Sequence, residues 1–284
     1  EPIAGLEEDD LWDVRDYVEH NFRSRAYAAA LQGYWAEAAA LAPKLSVAVR
    51  GELFSVLWGG HTALTALYIK LVRALQGLGA ASVVHVGLDA LVPRETSIID
   101  VKTLRHLTGS DDATLMLALG DGQRQAIPRA LLCALTAELV LPMRERPWDI
   151  FEHTDLLDFP GTRNRFKFPL EMTLREPEKN IPELLLRGKV AYLFDRYVAD
   201  QEITAMLLCI PNSNMEAVDL PKLVEDWINL TNGATPEDRL NADCILFFVL
   251  TKFDEHLGES AADGGTATRF QRRMEASFEK FWRK

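Results

Sequence analysis

Two uninterrupted apolar runs constrain this chain more than any other feature. Ile203 to Ile210 (ITAMLLCI) and Cys244 to Leu250 (CILFFVL) are strand-length and continuous rather than alternating, and a helical segment, Leu220 to Leu230, lies between them. Strands that are apolar on both faces belong in parallel sheets covered by helices, and strand–helix–strand alternation is the signature of such sheets. The expected core is therefore an α/β layer with a mixed, mostly parallel sheet flanked by helices.

The ends of the apolar runs carry chemistry. Thr251, Lys252, Phe253 and Asp254 follow the second run. Asp158, Phe159, Pro160 and Gly161 follow an earlier one, Phe151 to Leu157. Open α/β sheets bind ligands beyond the carboxyl ends of their strands. There Asp158 can hold Mg²⁺ through water, and Gly161 can bring a bare backbone N–H to a γ-phosphate. Asp254 can accept two hydrogen bonds from guanine's ring N–H and amine, a donor pair that adenine lacks. The Lys252 stem can lie along the base. The pair of motifs points to a GTPase-type site for GTP and Mg²⁺, with Thr251, Lys252 and Asp254 on the base. The competing reading is that both motifs are ordinary polar turns at strand ends.

The amino-terminal part has a different period. Glu8 to Phe22 spaces Leu11, Val14 and Val18 for a helix. Tyr27 to Leu41 is rich in alanine, the strongest helix former. Leu53 to Leu78 carries Leu57, Leu64, Leu67, Leu71 and Leu75 as an apolar stripe, broken at Gly59 and Gly60. Residues 1–80 thus read as a helical bundle, and residues 81–284 as the α/β core with an inserted hairpin region. Within that core, strands are expected over Ser82 to Leu88, Ser97 to Val101, Glu138 to Met143 and Phe151 to Leu157, the last two close enough to pair antiparallel. A hairpin is expected at Thr114 to Leu119 and Gln123 to Ile127 around Gly120, Asp121 and Gly122. Pro128 opens a helix to Ala137, Arg163 to Lys179 reads as loop, Pro182 opens a helix to Val198, and Arg269 to Trp282 closes the chain as an amphipathic helix.

Composition narrows the classes. A formal net charge of −11 over 284 residues argues against nucleic acid as the main partner, because phosphate contacts need clustered cations. Cys133, Cys209 and Cys244 sit in apolar runs without metal-ligand spacing, which fits a reducing cytoplasm and a role as small core residues. No apolar run reaches the roughly 18 residues of a membrane span. The six histidines show no H-E-x-x-H pattern, and no G-x-S-x-G is present. The chain opens on Glu1 rather than Met, as a piece of a longer protein would.

The two motifs resemble the third and fourth signatures of P-loop GTPases, and the D-x-P-G form with Thr in the fourth looks most like the dynamin-related branch. Tyr34 to Pro43 (YWAEAAALAP), Leu53 to Trp58 (LFSVLW), Thr154 to Arg163 (TDLLDFPGTR), Leu184 to Tyr197 (LLLRGKVAYLFDRY) and Leu246 to Asp254 (LFFVLTKFD) resemble the SrfC-like putative bacterial virulence factor family. The resemblance implies a bacterial, cytoplasmic protein with a GTPase region, and a phosphate loop upstream of Glu1. It supplies no established reaction and no catalytic residue. No G-x-x-x-x-G-K-[ST] occurs in the chain, and Thr162 stands where a water-orienting glutamine would be expected. GTP and Mg²⁺ are therefore expected only in the intact protein. The alternative is a non-catalytic scaffold that keeps a GTPase-like fold and binds protein partners through its helical region.

Overall fold

The computed structural model describes residues 5–109, 113–142, 144–159, 169–210, 220–251 and 265–275. Two compact units emerge: Glu1–Asp155 with Lys167–Gly188, and Leu156–Phe166 with Lys189–Lys284.

The first unit begins with helices. Helix α1 (Glu8–Phe22) starts where the Glu7 N–H donates to Asp10 Oδ2 at 2.7 Å, and Glu8, Asp9 and Asp10 place negative charge against its positive end. The alanine-rich stretch divides into α2 (Ala26–Ala30) and α3 (Tyr34–Leu41) where one helix is expected, with a turn through Leu31 to Gly33. Glycine is a poor helix interior, and turning the chain there buries both Leu31 and Trp35. Ala38, Ala39 and Ala42 have no exposed surface. Leu11, Ala39, Ala42 and Phe54 form one core cluster, and Val18, Ala28, Leu31 and Trp35 another.

Ser46 caps α4 (Val47–Ser55) by accepting from Val49 N–H. The helical stripe then breaks where expected: Gly59 and Gly60 adopt φ of +64° and +74°, and α5 (Thr62–Gly77) resumes beyond them. Trp58 Nε1 donates to Thr65 Oγ1 at 2.9 Å and ties the two sides of the break together.

An antiparallel sheet follows, ordered β1 (Val84–Val86), β2 (Thr114–Leu119), β3 (Arg124–Pro128). The hairpin stands where its turn chemistry puts it, with Gly122 at φ +84° and the Gln123 N–H donating to Asp121 Oδ1. Alternation buries Leu115, Leu117 and Ile127 on one face, and α6 (Arg129–Leu135) follows directly with Ala130 to Ala134 buried.

Three expected strands do not form. Ser97 to Val101 instead links two 3₁₀ turns, Arg94–Thr96 and Val101–Leu107. Asp100 caps the Lys102 N–H, and the Thr103 hydroxyl donates to the Ser97 carbonyl at 2.6 Å, so local side-chain bonds displace a ladder. Glu138 to Met143 carries no ladder over its described residues 138–142, with Val140 and Leu141 exposed. Phe151 to Leu157 is no strand either. Asp149–Glu152 is a 3₁₀ turn, closed by Arg146 pairing with Glu152 at 2.5 Å, and the residues after it join no ladder among the described residues. The antiparallel pairing of these two segments is thereby corrected.

The charged segment expected as loop contains α7 (Leu170–Thr173) and the start of α8 (Pro177–Ala199), which begins before Pro182. Pro182 has no N–H for the Glu178 carbonyl four residues earlier. That carbonyl accepts the Thr108 hydroxyl at 2.8 Å instead, which lets the proline stand inside the helix.

In the second unit, β4 (Met206–Ile210) pairs parallel with β5 (Leu246–Leu250) in the register Met206↔Leu246 to Ile210↔Leu250, with α9 (Leu220–Asn232) between them in sequence. Trp227 is fully buried and its Nε1 donates to the Ile203 carbonyl at 3.1 Å, so α9 holds the chain entering β4. Beyond α9, Gly233 turns at φ +91°, and Arg239 donates to its carbonyl at 2.8 Å and to Asn229 Oδ1 at 2.6 Å. Thr235 and Asp238 bond reciprocally across that turn, which lowers the Asp238 pKa. Helix α10 (Gly265–Met274) is the last described element. The observed sheets are small: one is antiparallel, and the parallel one has two described strands.

Candidate functional site

Both sequence motifs lie in segments of the second unit. Asp158 is exposed, on a stretch without regular secondary structure rather than at the end of a strand. Its neighbour Phe159 fixes that stretch, meeting Phe194 and Tyr197 of α8 edge-to-face with ring centroids 5.5 Å away in each case. These two rings stand three residues apart on one helical face and receive a third ring between them. The apolar residue of Asp-Phe-Pro-Gly thus serves as the anchor, and the carboxylate beside it is left to solvent.

Thr251 directly follows β5. Its N–H donates to the Ile210 carbonyl at 3.1 Å, continuing the ladder by one bond, and the Met206 N–H opens it on Ile245 at 2.7 Å. The start of Thr-Lys-x-Asp therefore stands at the carboxyl end of a parallel strand, in register with the end of β4. Gly161, Lys252 and Asp254 lie outside the described residues. Asp158 and Thr251 are the described members of the set. An exposed carboxylate suits a hydrated Mg²⁺, so the donor chemistry at Asp158 fits the ion. Among the described residues no group of three or more His, Cys, Asp or Glu side chains is gathered as a metal site.

Cys133 is buried, but Cys209 and Cys244 are exposed, which corrects their expected place in the core. Cys209 belongs to β4 and Cys244 precedes β5, and the strands' apolar side chains are only partly covered.

Sequence reasoning passed over a cluster in the first unit. Arg50 on α4 is 2 % exposed, and its Nε and Nη1 have no hydrogen-bond partner among the described residues. Tyr68 of α5 bonds its guanidinium. Burial raises the Tyr68 pKa against the opposing pull of Arg50, and burial, with Tyr27 and Tyr68 close by, pushes Tyr34 up to about 12. The available signal was positional: Arg50 shares a helical face with Val47 and Phe54, where an apolar residue is the expectation.

The fold is thus that of a mixed α/β protein, with a helical and antiparallel-sheet unit joined in sequence to a unit built on a parallel pair. A family model described as "Putative bacterial virulence factor" matches residues 1–284, and the chain belongs to that family. No curated protein and no solved structure matches it. Among the described residues, no helix is long and apolar enough to cross a membrane.

Proposed function

We propose that the chain is part of a guanine-nucleotide-binding protein of the bacterial cytoplasm, with dynamin-like GTP hydrolysis as the activity of the intact molecule. In this reading Asp158 serves Mg²⁺ through water, Gly161 meets the γ-phosphate, and Thr251, Lys252 and Asp254 hold the base. The bound Mg²⁺ would neutralise phosphate charge. The observation that supports the reading best is the parallel pairing of β4 with β5, with Thr251 immediately beyond the second strand. That is the topology in which ligands collect at strand carboxyl ends. The anchoring of Asp158 beside Phe159 supports it further, because a packed neighbour limits where the carboxylate can go. This chain contains no phosphate-loop motif, so alone it should bind GTP weakly and hydrolyse none.

The test is base choice in the full-length protein. Asp254→Asn should weaken GTP binding by about 1.5–3 kcal/mol and favour xanthosine triphosphate, while Asp243→Asn, an exposed carboxylate at the start of the same apolar run, should do neither. Equal effects of the two substitutions, or ATP competing as well as GTP, would remove the nucleotide reading. The second reading, a non-catalytic scaffold whose 1–80 helical region binds proteins, is supported by the motif's missing phosphate loop and would then stand.

A further inference from the structure

A groove of about 650 Å³ runs between α5 and β3 in the first unit. One wall is α5, presenting Ile69, Lys70, Arg73 and Gly77; the other is β3 with Ile127. Small residues open it: Ala66, Ala74 and Gly77 line the α5 side, and a methyl group added at Gly77 would come within 3.4 Å of the Gln125 amide nitrogen.

The strand wall is an edge. The sheet order is β1-β2-β3, so β3 has β2 on one side and no strand on the other among the described residues. The register fixes which of its groups face outward. Leu119 N–H donates to Gln123 O at 2.9 Å and Arg129 N–H to Ala113 O at 2.8 Å, so the hydrogen-bonded pairs fall on the odd-numbered residues of β3. In an antiparallel ladder these alternate with positions whose N–H and C=O point away from the partner. The outward groups are therefore those of Arg124 and Ala126, and Ala126 lines the groove. An open edge beside a helix is the setting in which an extended peptide adds as a further strand: its backbone pairs with the edge, and alternate side chains enter the groove.

The charge around the groove selects among peptides. Lys70 and Arg73 line the groove and are exposed, no acidic side chain lines it, and neither cation forms an ion pair among the described residues. Lys70 Nζ donates to the Leu107 carbonyl at 2.7 Å, which steadies the ammonium without neutralising it. Two uncompensated cations on one wall stand out in a chain of net charge −11. Ile69, Ile127 and Leu131 offer an apolar floor between them.

We propose that this groove is a β-augmentation site for an extended acidic segment of a partner protein, one whose groove-facing positions, every second residue, carry both acidic and β-branched side chains. The segment pairs with the outward backbone groups of Arg124 and Ala126, lays an apolar side chain on Ile69 and Ile127, and sets a carboxylate two residues along the same face against Lys70 and Arg73. The site is independent of any nucleotide.

A fluorescein-labelled peptide of the repeat Thr-Glu-Thr-Val, which puts glutamate and valine on one face, is the probe, read by fluorescence polarisation against a counterpart with lysine for glutamate. The wild-type chain should bind the acidic peptide at least tenfold more tightly than the basic one, and added salt should weaken it. Ala126→Pro removes an outward N–H, which an edge strand tolerates, and should abolish binding. Arg73→Glu, on the opposite wall, should reduce acidic-peptide binding at least tenfold while leaving the hairpin untouched. N-methylation of alternate peptide amides keeps the backbone role testable if Ala126→Pro does not fold, and should also abolish binding. No binding to wild type, equal binding of the two peptides, or full binding by a folded Ala126→Pro would each overturn the proposal. So would a dimer in sedimentation that Ala126→Pro dissolves, which would assign the edge to a second copy of this chain.

Discussion

β2 ends at Leu119 and β3 begins at Arg124, whereas β4 ends at Ile210 and β5 begins only at Leu246. The first pair is closed by a glycine turn and buries one face: Leu115, Leu117 and Ile127 are 2 %, 1 % and 3 % exposed. The second pair must bring distant segments together, and it leaves Leu207 60 % and Phe247 46 % exposed. A hairpin's register follows from a few residues, and one apolar face suffices to hold it. A parallel pair has no such local device and depends on what packs against it. Here that support comes from α9, through Trp227.

The sharpest way to break this contrast is Trp227→Ala. Removing a fully buried indole that also bonds the Ile203 carbonyl should cost about 3–5 kcal/mol, enough to unfold the second unit while the first persists. Denaturant unfolding followed by circular dichroism should show two transitions with only the weaker one displaced, and a single displaced transition would join the fates of the two units. Leu117→Ala should act on the hairpin sheet, at about 2–4 kcal/mol, by emptying a buried site on its covered face. Gly122→Ala should cost about 1–2 kcal/mol, since an L side chain is strained at φ +84°. Phe247→Ser, on the uncovered face of the parallel pair, should change stability by about 0.5 kcal/mol or less. A loss above about 2 kcal/mol at Phe247 would mean that this face is covered in solution, and the contrast between the sheets would fall.

Alkaline pH adds a probe of the first unit. Tyr27, Tyr34 and Tyr68 all hold their protons more tightly than in the unfolded chain, because burial disfavours the phenolate. The unfolded chain then binds fewer protons from about pH 10 upward, so stability falls as pH rises through the window that ends near 12 for Tyr34. Tyr34→Phe should make that decline shallower, at the cost near neutrality of the hydrogen bond its hydroxyl donates to the Leu53 carbonyl. An unchanged slope would show that Tyr34 ionises as freely folded as unfolded.

What the sequence determined by itself is what local chemistry decides. The acidic first turn of α1, the Gly59 and Gly60 break and the Gly122 turn all act within a few residues, and the structure has them where the sequence puts them. The continuous apolar runs 203–210 and 244–250 also supplied strands, over Met206–Ile210 and Leu246–Leu250, as their apolar composition suggests. Only the tertiary structure decided which other extended segments would pair. Ser97 to Val101, Glu138 to Met143 and Phe151 to Leu157 have strand-like composition, but a strand exists only when a second backbone meets it, and side-chain bonds and ion pairs claimed the first and last instead. The same holds at the candidate site. The motif order and Thr251's place beyond β5 could be read from the sequence. The anchoring of Phe159 between Phe194 and Tyr197 could not, because it joins residues from separate segments. Nor could the open edge of β3 beside α5, where two elements far apart in sequence leave a groove that neither has alone.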